Sequence, residues 1–513
     1  MPAGAAVRVG APVGFCTVYE FRSSRFNGEM RDVHPIFLAG RWIASTARAS
    51  FDATNPGTGQ SIPGAFPISP WSEIDTALTA AVEAFERIAD DITGRCDFLD
   101  RYARLIEAGV SELAAIAHDE TGLPVHPRLI EQELPRTIRQ LRDSAAAARD
   151  GAWALPTVDE THNLVSMHRP IGPVVVFGPN NFPFAYNGIV GGDFAAALPG
   201  GKPGIAPVDP PLPPTTAPLP PLPRQTPPHA GLHPASVQLI YHMSNDDGLK
   251  LVADRRVGAV GFTGSRAGGL ALKRAADEAG IPIYLEMSSV NPVVMLPGAL
   301  ADRCDALADQ FTTSSLLAAG QFCTNPGLVF LIGSSDAERF VARAVETFRA
   351  AEPQTMLSRG TVESLDRAVR QMRQSNGVEL LVGGQVVPGA RCAYRPTLLR
   401  TIGQTFLDDA EQKQSEMFGS AALLVFCESI DQLRDCLRQL DGQLTGSICV
   451  GSGDDEAYEK IEPILRRRVG RLLNDQMPTG VAVSPAMQHG GPFPATGHPG
   501  FTAVGPPATL RRF

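Results

Sequence analysis

Apolar positions along this chain recur with two different periods, and the two periods alternate. From Ser72, a plausible N-cap, the spacing of Ile74, Leu78, Val82, Phe85 and Ile88 puts five apolar side chains on one face of a helix. Two more helical stretches are predicted near 95–118 and 127–150. Short apolar runs then appear, each followed by glycine and a helix-like segment. They are Val174-Val175-Val176-Phe177, Val237-Gln238-Leu239-Ile240-Tyr241, Ala259-Val260-Gly261-Phe262 and Ile283-Tyr284-Leu285, the last ending at Glu286. Strands alternating with helices predict a parallel, doubly wound sheet, which binds ligands at the carboxyl ends of its strands. A second α/β pattern runs from about 291 to 475, and no internal repeat stands out.

One segment interrupts the pattern. Twelve of the 26 residues from Pro203 to Pro228 are proline, against a usual ~5%. Pro207–Pro223 is incompatible with a helix and a poor fit to a central strand. It stands where an alternating fold needs one of each.

Composition narrows the class. The 513 residues are enough for two or three domains at roughly 100–200 residues each. A net charge of -9 argues against nucleic acid as the main partner. None of the eight cysteines forms a C-x-x-C pair, and no Cys/His cluster has zinc spacing, so no metal is expected. That usage fits a reducing, cytoplasmic setting. No apolar run approaches the ~18 residues that cross a bilayer. Residues 1–29 make a weak secretory signal because Arg8 interrupts their apolar stretch. They read as a disordered tail, or as an extension preceding a true start at Met30.

Four short stretches carry candidate chemistry. Phe177-Gly178-Pro179-Asn180-Asn181-Phe182-Pro183 follows a strand, and an asparagine amide there is able to donate to an oxyanion. Pro-Asn-Asn is equally good turn chemistry. Phe262-Thr263-Gly264-Ser265-Arg266-Ala267-Gly268-Gly269 joins a strand to a helix, whose free N–H groups suit a phosphate. It lacks the G-x-G-x-x-G spacing, and a plain glycine turn explains it as well. Glu286 ends an apolar strand, a good position for a general base, although surface glutamates also end strands. Cys323 lies in Gly320-Gln321-Phe322-Cys323-Thr324-Asn325-Pro326-Gly327, a loop more approachable than the core positions that cysteines usually take. The other seven cysteines read as core.

In this order and separation the four stretches resemble the aldehyde dehydrogenase superfamily. Glu416-Met417-Phe418-Gly419-Ser420 looks like that family's E-x-F-G element. The resemblance runs from about Phe37 to Phe513. Within the superfamily the chain is most similar to ketoglutarate semialdehyde (2,5-dioxovalerate) dehydrogenases. That narrower likeness rests on Phe177–Pro183, the Arg266 variant of the glycine turn, Glu286–Pro292, and Pro478–Val481 through His489–Pro492. Fatty aldehyde dehydrogenases share much of the pattern.

The resemblance implies an α/β architecture with three parts. A doubly wound, Rossmann-like cofactor domain would take 31–150 and 171–290, and a catalytic α/β domain 291–475. A small oligomerisation hairpin would take 151–170, helped by the tail 476–513 in a homodimer or homotetramer. It implies Cys323 as nucleophile, Asn181 and the Cys323 N–H as the oxyanion site, and Glu286 as the base for the water that releases the acid. It implies NADP or NAD as cofactor, with NADP favoured. Gly264 and Ser265 would lie by the pyrophosphate, Glu416 by the nicotinamide ribose and Phe418 by the ring. The substrate would be a small aldehyde, 2,5-dioxopentanoate in the matching subgroup. Arg136, Arg139 and Arg142 are candidates to meet its carboxylate, although a solvated helical face explains each of them singly.

The proline-rich segment departs from the family. Relatives carry there a strand ending in a lysine that contacts the adenosine ribose or its 2′-phosphate. Here Ile205-Ala206-Pro207 stands at that point, and Lys202 comes several residues early. Two compensating reading-frame shifts or a genuine divergence would each leave the flanks intact. Weak or absent cofactor binding is then expected, and with it a second reading as a cofactor-impaired relative with a binding or scaffold role. A third reading is an esterase-like enzyme that uses Cys323 without nicotinamide. The chain also stops a few residues short of the family's usual end, which would weaken an oligomer contact.

Overall fold

The computed structural model describes residues 23–26, 29–208, 212–220, 232–480, 482–484, 486–487, 490–500, 502, 504–505 and 508–513. The expectation for residues 1–22 lies outside these, as do Val481 and His489 and parts of the proline-rich segment. Ser23–Phe26 pairs antiparallel with Glu29–Asp32, so the end of the stretch read as a tail is a hairpin.

Two seven-stranded sheets organise the molecule. The first runs, in spatial order, Ile283–Glu286, Ala259–Thr263, Val174–Phe177, Gly204–Pro207, Val237–Ile240, Ile36–Leu38 and Arg41–Ile43. The five strands from Val174 onward are parallel. The order reverses at Val174–Phe177, which lies between Gly204–Pro207 on one side and Ala259–Thr263 on the other. Such a switch point opens a crevice beyond the carboxyl ends of the strands. The asparagine loop and the Gly264-Ser265 turn both leave the sheet at that crevice. The strands are buried on both faces, as continuous Val/Ile/Leu runs require.

The helices packed on this sheet correct the sequence reading in detail. The first spans Trp71–Ile88, and its N-cap is the extended Pro70, not Ser72. The Pro70 carbonyl accepts from Glu73 N–H at 3.0 Å, which leaves Ser72 inside the first turn. The stretch near 95–118 is two helices, Ile92–Ala108 and Val110–Thr121, divided at Gly109. An irregular helical segment Val125–Glu133 then runs into the helix Leu134–Asp150.

The proline-rich segment also differs from expectation. Gly204–Pro207 is an interior strand, bonded in parallel to both Val174–Phe177 and Val237–Ile240. Proline enters only as its last residue, where the run of strand bonds ends, and Val208 N–H continues to the Ile240 carbonyl. Pro213 opens the short helix Pro213–Thr216 at the first helical position, where a missing N–H costs nothing.

The second sheet runs Glu379–Val382, Thr397–Ile402, Ala421–Cys427, Leu328–Ile332, Val293–Met295, Gln443–Cys449 and Val469–Asn474. Separate apolar clusters cover its two faces. Residues 491–497 tie the two halves together: Ala495 and Leu285 carbonyls accept from Met287 and Gly497, and Phe493 accepts from Gly442. A two-stranded hairpin, Thr157–Asp159 with Leu164–Ser166, projects with Val158, Leu164 and Val165 each more than 60% exposed. The tail's end, 508–513, packs back on the half built around the first sheet, where Arg512 forms a buried ion pair with Asp193. Among the described residues no helix is long and apolar enough to cross a membrane, and no metal-binding cluster occurs.

Candidate active site

The site lies where the two sheets meet. Glu286 is the last residue of its strand and is buried, with its carbonyl accepting from Gly264 N–H at 3.0 Å. Its carboxylate faces the Cys323 thiol within hydrogen-bonding reach. Cys323 is the one cysteine among the described residues that is not buried. The residue is half-buried, and its sulfur is withdrawn from solvent. Burial pushes the thiol pKa well above its usual value, the Glu286 charge and hydrogen bond push it further, and Arg136 and Arg471 oppose them.

Two networks hold the cysteine loop. Asn291, fully buried and in the left-handed region at φ 46°, donates to the Cys323 carbonyl at 2.8 Å and to the Asn325 carbonyl at 2.9 Å. Ser289 and Thr445 hydroxyls fix its Oδ1, each at 2.9 Å. Upstream, Ala318, Ala319 and Gly320 all take positive φ. Gln354 braces this turn by accepting from Ala319 N–H at 3.1 Å and donating to the Leu316 carbonyl at 2.9 Å. A Cβ on Gly320 would lie 2.3 Å from the Gly419 backbone. Only glycine therefore lets the cysteine loop approach the Glu416–Ser420 element so closely.

The asparagine loop meets the cysteine loop directly. Asn181 Nδ2 donates to the Gln321 carbonyl at 3.0 Å, two residues before Cys323, and its second N–H remains for another acceptor. Arg128 and Glu133 hold this loop from beneath. Arg128 donates to the Asn181 carbonyl at 3.0 Å and pairs with Glu133. Glu133 accepts from Phe184 and Ala185 N–H at 2.8 and 3.1 Å. The sequence reading missed both residues. They lie some 50 positions upstream of the loop, on a helix whose other face is ordinary core.

The remaining candidates divide. Ser265 caps the helix Arg266–Ala279 by accepting from Gly268 N–H at 3.3 Å, and it is exposed at the crevice beside Gly264. Glu416 accepts from Ser289 N–H at 3.3 Å. Burial raises its pKa, while Ser288, Ser289 and Arg266 hold it down. Phe418 packs against the apolar cluster around the first sheet. Arg136 is half-buried, donates to the Tyr186 hydroxyl and lies 5.0 Å over that ring. Arg139 and Arg142 do not join it. Both are exposed, and Arg142 pairs with Glu107 at 2.6 Å, because they follow Arg136 around the helix onto its solvent face.

At the crevice a small open cleft is lined by Gly178, Pro179, Asn187, Gly188, Ala206, Pro207, Val208, Leu212 and Thr216. No charged side chain is among them. Lys202 is not there. It is fully buried elsewhere, with Nζ 5.1 Å over Trp153. Burial, then Arg95 and Arg512, lowers its pKa to about 7.

Comparison with known proteins places this arrangement. The aldehyde dehydrogenase family model matches residues 42–491. The chain belongs to the aldehyde dehydrogenase family. It is 35% identical over 487 residues to alpha-ketoglutaric semialdehyde dehydrogenase 2 of Azospirillum brasilense, covering 92% of each chain. It is 33% identical to alpha-ketoglutaric semialdehyde dehydrogenase of Acinetobacter baylyi, covering 93% of this chain and 91% of that one. The lactaldehyde dehydrogenase structure from Escherichia coli superposes with a TM-score of 0.80 at 19% identity, over 94% of this chain and 97% of that one. The α/β architecture read from the sequence is that of this family.

Proposed function

We propose that the protein oxidises ketoglutarate semialdehyde, or a closely similar short anionic aldehyde, to the acid with NAD(P). The observation that carries the chemistry is the Cys323 thiol facing the Glu286 carboxylate, with Asn181 tied to the same loop. The substrate class rests on the similarity to the two ketoglutaric semialdehyde dehydrogenases.

Each residue's work follows from its place. Glu286 accepts the Cys323 proton as the sulfur adds to the aldehyde carbon. The free N–H of Asn181 and the Cys323 backbone N–H hold the oxyanion. NAD(P), when bound, accepts the hydride that leaves this carbon. A thioester then remains on Cys323, and Glu286 removes a proton from the water that cleaves it. Glu286 thus serves twice, and between the two steps it passes the proton taken from Cys323 to solvent.

The residues present fit the cofactor at one end better than at the other. Glu416 and Phe418 stand beside the cysteine loop, and Ser265 heads a helix at the switch point, where pyrophosphate binds best. Among the described residues the cleft beside Pro207 offers no cation to meet a 2′-phosphate. That favours NAD over NADP, contrary to the expectation from the subgroup, and weakens both. Calorimetric titration with NADH and NADPH tests this part. NADH binding at least as tightly as NADPH supports it, and a tenfold preference for NADPH contradicts it. No binding of either would favour the cofactor-impaired reading.

The exposed apolar edge at Val158, Leu164 and Val165 supports a homo-oligomer built on this hairpin. Sedimentation of V158K/V165K against the unaltered chain tests it, a smaller species being expected.

A further inference from the structure

A second guanidinium stands beside the nucleophile, on an element the sequence reading did not single out. Arg471 belongs to the edge strand Val469–Asn474 of the catalytic half. Its Nη2 donates to the Pro478 carbonyl at 2.7 Å, and its Nη1 meets the Gly480 carbonyl at 3.2 Å and the Met487 sulfur at 3.0 Å. Thr479, between those two carbonyls, points its hydroxyl at the Thr324 carbonyl 3.4 Å away, next to Cys323. Met487 packs against Phe182, Tyr186 and Phe322, the aromatic wall around the thiol. Arg471 is therefore fixed, by its own hydrogen bonds, to a segment that touches the cysteine loop.

Its surroundings lack what a buried guanidinium ordinarily has. Among the described residues no carboxylate lies within ion-pair distance of it, and its Nε–H is buried without an acceptor. A half-buried cation satisfied only by carbonyls is an incomplete site, because it still lacks an anion. Its field reaches the Cys323 sulfur and the Tyr186 hydroxyl. Arg136 approaches the same sulfur from the cofactor half, across Tyr186. Two positive groups from opposite halves thus face one pocket whose own charge, Glu286, is engaged with the thiol.

We propose that Arg471, together with Arg136, forms the subsite that takes the substrate's anionic end, with Arg471 the residue that selects carboxylate-bearing aldehydes over neutral ones. This deepens the aldehyde-oxidation reading above and rests on it for the identity of the substrate. Arg471 takes no part in bond making. Its hydrogen-bond donors face a carboxylate a few bonds from the aldehyde carbon held at Cys323.

The test needs no bound cofactor. Cys323 is alkylated with iodoacetate and, separately, with iodoacetamide, and the Cys323 peptide is quantified by mass spectrometry. The two reagents deliver similar groups to the same sulfur, so the ratio of their rates cancels any change in thiol reactivity. The unaltered protein should show a ratio above that of a free thiol. Arg471→Gln should lower it about tenfold to a hundredfold, the value of one charge-assisted contact. Arg471→Lys should keep most of it, and 2-oxoglutarate should protect Cys323 better than sodium chloride of equal ionic strength. An unchanged ratio in a folded Arg471→Gln protein overturns the proposal. So does the absence of protection by 2-oxoglutarate, which stands as the test if that variant does not fold. The substrate reading fails separately. If the unaltered enzyme oxidises pentanal as well as succinate semialdehyde while the alkylation ratio still falls in Arg471→Gln, the anion subsite stands, and both the substrate class and the selection assigned to Arg471 fall.

Discussion

Replacing Glu133 by glutamine should disturb the active site without touching any reacting atom. Glu133 and Arg128 are 1% and 5% exposed and form one ion pair beneath the asparagine loop. Glutamine keeps an oxygen for the Phe184 and Ala185 N–H groups, so those two bonds survive. What it removes is the counter-ion of a buried guanidinium. Breaking one side of a buried pair costs about 3–5 kcal/mol. The Phe182 ring, 4.6 Å from the Arg128 guanidinium, offsets part of this, about 1 kcal/mol. The expected net loss is about 3 kcal/mol. Urea unfolding followed by tryptophan fluorescence reads it well, because Trp42, Trp71 and Trp153 all pack against the core around the first sheet. Arg128→Met added to Glu133→Gln should recover part of the loss, since the stranded charge is gone. A Glu133→Gln midpoint within about 0.5 kcal/mol of the unaltered chain, roughly the error of independent sites, would refute the reasoning. So would a double variant no more stable than the single one.

Other expectations follow from the same geometry. Glu286→Gln removes the anion that raises the Cys323 pKa, so the pH midpoint for iodoacetamide alkylation should fall; a rise would contradict the repulsion between the two groups. Lys202 has its pKa lowered to about 7, so the unfolded chain binds the extra proton between that value and 10.5, and stability should climb with pH across this window. Lys202→Met should remove that climb, read as urea midpoints at the two ends of the window. Asn291→Ala frees two carbonyls of the cysteine loop and should cost roughly 2–3 kcal/mol, with Asn291→Gly milder because φ 46° suits glycine. A thermal shift assay with both variants checks the order.

Much of this site was legible in the chain because its parts are local. Glu286 ends an apolar run, Ser265 precedes a helix, and Cys323 sits among glycine, asparagine and proline. Each pattern fixes a position relative to a strand end, and the doubly wound topology brings strand ends together. What stayed hidden is long-range. Arg128, Glu133 and Gln354 look like ordinary helix and loop residues until packing sets them beneath the catalytic loops. Arg471 sits in a strand that reads as plain edge. Arg136, Arg139 and Arg142 were indistinguishable at three-residue spacing, because no sequence period says which side of that helix meets Tyr186. The proline-rich segment misled for a different reason. Composition averaged over 26 residues concealed that the strand Gly204–Pro207 meets proline only at its last residue and that Pro213 falls at a tolerant position.

The central claim is that Cys323 carries out aldehyde oxidation in this family member. The measurement is the formation of reduced nicotinamide from ketoglutarate semialdehyde, with NAD and with NADP, by the unaltered protein and by Cys323→Ser. The account predicts turnover in the first, fastest with NAD, and none in the second, with both proteins equally folded by circular dichroism. Turnover retained in Cys323→Ser would contradict it, as would an unaltered protein that binds nicotinamide yet leaves the aldehyde unoxidised.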